Sequence, residues 1–194
     1  MKNKAITLFL VLTYISLSSF AQVTYTKVNY IGKTGFLIEH GDQKILIDVS
    51  DKNMVEDQGL PQETQDKISE AKAPFDDIDL ILATHPQGIL LKTGLIKQYM
   101  KKNHEVIFAS TAQSIQHIDF SLDRCILFTL TKDTSITKVI NDISIEAIYF
   151  PQEASIQIPQ IGFVLSQDGK TFFQTNYFES DDYKAEQTPK KNKI

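Results

Sequence analysis

The chain has 194 residues, 42% of them hydrophobic, and a net charge of −4, enough for one domain with a sizeable core. The mild acidity excludes the basic footprint that nucleic-acid binding requires. A single cysteine, Cys125, excludes an intrachain disulfide.

The first residues read as an export signal. Lys2 and Lys4 give a positive start, Ala5 to Leu17 is mostly apolar, and Ser19-Phe20-Ala21 is a small-x-small cleavage site. The apolar run is short for a membrane helix, which needs ~20 residues, so an uncleaved anchor is the weaker alternative. The expected organisation is a signal peptide over 1–21, one domain over 22–180 and a polar tail over 181–194. That places the mature protein in the periplasm or outside the cell.

Val23 to Tyr30 alternates as a strand with two differently dressed faces. Gly32 and Gly35 punctuate it, and two more strand-like runs follow, Phe36 to Glu39 and Lys44 to Asp48. Between them His40-Gly41-Asp42-Gln43 predicts a hairpin turn, with His40 as a solvated turn residue. The polar stretch Ser50 to Pro74 predicts a surface excursion with a helix from Gln62 to Lys72, started by Pro61. From Ile78 the pattern becomes β-α-β. An apolar strand ends at Thr84, a helix runs from about Leu90 to Lys102, and a strand covers Glu105 to Ala109. Ser110 is the expected cap of a short helix reaching Ile118. The last third returns to strands at Ile126–Leu130, Ile136–Ile140, Ile143–Phe150, Ile161–Ser166 and Thr171–Gln174, with turns at Asn141-Asp142 and Asp168-Gly169.

Few residues offer chemistry. His104 and His117 have no acidic or histidine neighbour at ligand spacing, and both read as structural. Cys125 sits in a strand-like run and reads as a buried, inert thiol. Ser50, Ser110 and Thr111 lie near strand ends, but none stands in a nucleophile elbow. Asp76, Asp77 and Asp79 lack the loop pattern of a calcium site, so they read as solvated turn carboxylates.

Thr84-His85-Pro86-Gln87-Gly88-Ile89-Leu90 resembles the metallo-β-lactamase superfamily motif Thr-His-x-His-x-Asp-His. Thr84 and His85 match, while Gln87, Ile89 and Leu90 stand where that family has its second His, its Asp and its third His. Asn29 to Phe36 resembles the family's opening strand and glycine turn, and Lys44 to Asp48 its strand ending in a structural Asp. Pro74 to Asp79 resembles the approach to the metal loop, and Gly162 to Phe173 the late hairpin. The likeness spans about Val23 to Tyr177. It implies an α/β fold: an αββα sandwich of two mixed β-sheets flanked by helices, truncated at the C-terminus.

In that family the loop after the strand helps to gather the roughly four N, O or S donors that zinc needs, and a metal-bound water attacks the substrate. Here Gln87 offers an amide, and Ile89 and Leu90 offer no donor. Pro151-Gln152 replaces the next ligand histidine, and Thr175-Asn176 replaces the bridging Asp. His85 and Asp48 are then the retained positions. His85 is read either as a relic ligand for one weakly held metal or as a strand-end imidazole bonded to the protein; Asp48 is read as tying the loop after its strand. The resemblance therefore implies a non-catalytic, exported protein with no cofactor, zinc being the doubtful exception. It would bind a small ligand or a protein partner through the old site mouth at Asp48, Gln87, Gln152 and Asn176, and it could form homo-oligomers. The alternative is a hydrolase of an ester, phosphoester or lactone with a mononuclear site.

Overall fold

A computed structural model describes residues 25–32, 35–49, 60–84, 93–118, 120–132, 134–150 and 160–175. Among these residues ten strands form two sheets. The first sheet contains β1 (Thr26–Gly32), β2 (Gly35–His40), β3 (Gln43–Ile47), β4 (Leu80–Leu82), β5 (Ile107–Ser110) and β6 (Cys125–Leu127), side by side in chain order. The first three strands are antiparallel and the last four run parallel. The second sheet is an antiparallel meander of β7 (Ser135–Ile140), β8 (Ile143–Phe150), β9 (Gln160–Gln167) and β10 (Lys170–Gln174).

Side-chain alternation sets the layers. In β3 and β4, Ile45, Ile47, Leu80 and Leu82 face the second sheet and meet Ile143, Ile145, Ala147, Ile161 and Phe163. Leu46 and Ile81 face the other way. There they pack under helices α1 (Gln62–Ser69), α2 (Thr93–Lys102) and α3 (Ala112–Ile118), through Ile68, Leu95, Ile96, Tyr99, Ile115 and Ile118. Strands covered on both faces read as continuous apolar runs, as Leu80 to Leu82 does. All three described helices lie on the first sheet's outer side; among the described residues no helix covers the second sheet.

Polar ties hold the corners. Tyr99, wholly buried, accepts hydrogen bonds at its hydroxyl from the Ile78 N–H and Asn103 Nδ2, both at 2.9 Å. Arg124 closes the end of α2: its guanidinium donates to the carbonyls of Met100, Asn103 and Val106 at 2.7–3.2 Å.

Three expected details are corrected. α1 ends at Ser69 rather than Lys72, because Ala71 takes a left-handed φ of 50°. The Ala71 and Lys72 N–H groups then donate back to Ile68 and Lys67, the Schellman termination. Ser110 does not cap α3: its buried hydroxyl donates to the Ala83 carbonyl at 2.7 Å. Thr111 takes the capping place, its Oγ1 accepting from the Ser114 N–H at 3.4 Å. The carboxylates before β4 are not simply solvated. Lys44 Nζ meets Asp76 at 2.6 Å, and the Lys44 N–H donates to Asp79 Oδ2 at 2.8 Å. The lysine holds the Asp76 carboxyl below its usual range.

The expected export segment, the loop at 85–90, Gln152 and Asn176 lie outside the described residues.

Candidate functional site

The floor of the expected site stands at the carboxyl ends of β3 and β4. Asp48 follows β3 directly, is 1% exposed and has a φ of 51°, a left-handed conformation that Asp tolerates better than most residues. Its N–H donates to the Leu82 carbonyl at 3.0 Å, and its side chain turns to the end of β4. Oδ1 accepts from the Thr84 N–H at 2.8 Å, and the Thr84 hydroxyl lies 3.1 and 2.9 Å from the two carboxyl oxygens. Asp48 thus ties the neighbouring strand's end, one residue before His85.

Gly35 makes this approach possible. A Cβ there would lie 3.0 Å from the Asp48 carbonyl and 2.9 Å from Ile31 Cγ1. The second sheet joins at the same point, where the Ile161 N–H of β9 donates to the Thr84 carbonyl at 3.2 Å. Beside β9 lies Thr175, whose hydroxyl is buried and has no hydrogen-bond partner among the described residues. A buried polar atom left this way is uncommon in a folded protein.

Of the expected site residues, Asp48 is described and stands at this floor; His85, Gln87, Gln152 and Asn176 lie outside the described residues. Among the described residues no three of His, Cys, Asp or Glu gather where a metal could sit. The donors that are visible do not fit zinc. Both Asp48 oxygens are committed to Thr84, and the imidazole of His40 is bonded at the other end of the sandwich. Burial pushes the half-buried Cys125 thiol up, which keeps it protonated and unreactive.

His40 itself is a correction. It is 6% exposed, with Thr26 Oγ1 at 2.6 Å from Nδ1 and Asp168 Oδ2 at 3.0 Å from Nε2. The turn is only Gly41-Asp42, so His40 remains in the strand, two residues beyond Ile38 and on the same inward face. The alternation of Phe36, Ile38 and His40 carried that signal. Gln43, His40's partner across the hairpin, extends the tie. It donates to the Asn141 carbonyl and accepts from Gln167, so the first sheet is fastened to both turns of the second.

No protein-family model and no curated protein matches the chain. Solved structures do. An inferred metal-dependent hydrolase from Parabacteroides distasonis matches with a TM-score of 0.54 and 16% identity, over 79% of this chain and 61% of its own. The metallo-β-lactamase fold protein YhfI from Bacillus subtilis matches with a TM-score of 0.51 and 12% identity, over 82% of this chain and 60% of its own. The chain thus spans about 60% of the length of both proteins. At these identities the likeness is one of fold: with its two face-to-face sheets and β-α-β unit, the chain has the metallo-β-lactamase fold.

Proposed function

We propose that this is an exported, non-catalytic protein that binds a small ligand or a partner through the former metal mouth of a metallo-β-lactamase scaffold. One observation carries the reading: the run from His85 to Leu90 offers a single imidazole where a dinuclear zinc site needs several donors together. Replacing buried ligands by amide and apolar groups also removes a desolvation burden once no cation offsets it. The Thr175 hydroxyl at the same end of the sandwich, without a partner among the described residues, suits a ligand that brings its own hydrogen-bonding group.

The name of one fold neighbour, a metal-dependent hydrolase, favours a second reading: here it would be a hydrolase with one metal at His85, acting on an ester, phosphoester or lactone. Metal content separates the two. The mature protein, purified without chelator, is expected to hold less than one zinc per chain, and added Zn²⁺ should leave its melting temperature unchanged. A ligand at a hundred times its Kd stabilises a fold by ~2.7 kcal/mol, or roughly 5–10 °C for a domain of this size. One or more zinc ions per chain, or a shift of that size, would overturn the proposal.

A further inference from the structure

A cavity of about 420 Å³ opens between the sheets, and it is not the former metal mouth. Ile161 at the start of β9 bonds to Thr84, whereas Gln167 at the end of β9 lines the cavity. Six residues of strand, at ~3.3 Å each, separate them by roughly 20 Å. The cavity therefore belongs to the opposite end of the sandwich.

Its walls are the inward side chains Val28, Ile38, Ile45, Leu165 and Phe172 from strands of both sheets. Its rim is polar, with Thr26, His40, Gln167 and Lys170. The volume falls within the ~300–1,000 Å³ of small-molecule sites, which share this pattern of apolar walls with a few placed polar groups. The rim is braced on both sides, since His40 joins Thr26 of β1 to Asp168 in the turn before Lys170. Both imidazole nitrogens serve that brace, and Lys170 brings an ammonium charge to the rim. Val28 remains 44% exposed on the open side, an apolar wall that meets water.

We propose that this cavity binds a small amphiphile, its apolar body between the sheets and its anionic head, a carboxylate, at Lys170. The site is independent of the function proposed for the metal mouth and stands whether or not that mouth binds anything.

Decanoate is the probe, with decanol as its uncharged counterpart, in calorimetric titration of the mature chain. One decanoate per chain is expected. Val28→Trp fills the open side from an exposed edge-strand position that accepts aromatics, and it should weaken both probes at least tenfold. Lys170→Glu should weaken decanoate at least tenfold and decanol less than threefold. Circular dichroism and melting temperature confirm that both variants fold, and Lys170→Glu, on an exposed hairpin, decides the matter should Val28→Trp unfold. Gln87→Ala, in the metal loop, should leave decanoate affinity unchanged. The inference is overturned by absence of saturable binding, by uptake that a folded Val28→Trp does not reduce, or by a Lys170→Glu effect equal for both probes.

Discussion

Removing the Asp48 carboxyl tests whether the floor of the metal mouth is held by the chain itself. In Asp48→Ala the Thr84 N–H and hydroxyl lose their shared acceptor in a place where both residues are buried. Each such loss costs ~1–3 kcal/mol. Because both donors belong to one residue, the two losses overlap. The left-handed backbone at position 48 adds about 1 kcal/mol against alanine. Together these give ~3–4 kcal/mol, a drop of roughly 6–16 °C in melting temperature for a domain of this size. Asp48→Asn keeps an acceptor oxygen and tolerance of positive φ, so it should lose only ~1–2 kcal/mol. Asp48→Gly relieves the backbone but not the lost acceptor, and should fall about 1 kcal/mol short of the alanine loss. Urea unfolding of the four proteins, with a common m-value, measures the series. Alanine and asparagine variants both within ~0.5 kcal/mol of the parent, the ordinary range for surface changes, would refute the anchor.

Other parts of the fold yield sharper single tests. Tyr99→Phe leaves the Ile78 N–H without its buried acceptor and should cost ~1–3 kcal/mol. Burial raises the Tyr99 pKa, so the folded state keeps a proton that the unfolded chain releases near pH ~10. Stability should therefore fall as pH rises above that value, and less steeply in Tyr99→Phe, as read by urea midpoints at pH 8–11. Arg124→Lys should be nearly as damaging as Arg124→Ala, about 2–3 kcal/mol by thermal melt, because one ammonium cannot span the three carbonyls that the planar fork reaches. Ala71→Gly should raise stability by ~0.5 kcal/mol in urea titrations. Relief of the left-handed φ outweighs the added freedom of the unfolded chain.

Periodicity made most of this fold legible. The runs Lys44 to Asp48 and Leu80 to Thr84 announce strands buried on two faces, and the polar excursion between them announces a surface helix. Boundaries failed where a local conformation competes with the pattern: the left-handed Ala71 stops α1 early, and a two-residue turn leaves His40 inside its strand. Ser110 misled because a hydroxyl before a helix suggests a cap, while its bond to Ala83 comes from a strand distant in sequence. Of the expected site, Asp48 was legible as a structural carboxyl, though not its target. The cavity at the far rim was invisible, since Val28, Leu165 and Lys170 meet only when the two sheets close.

Each sheet is built from one uninterrupted stretch of chain, residues 26–127 for the first and 135–174 for the second, with strands laid down in sequence order. Among the described strands none is lent by one half to the other. Each described strand pairs with its neighbour in sequence, so the contacts within each half are close in chain order, the kind that forms fast. The sandwich joins two slabs through their oily faces, and the link that follows β6 takes part in the seam: Phe128 is buried between the sheets against Phe163, with its N–H donating to the Ser110 carbonyl. A backbone nick beyond Phe128, at 129–132, would cut no strand of either sheet.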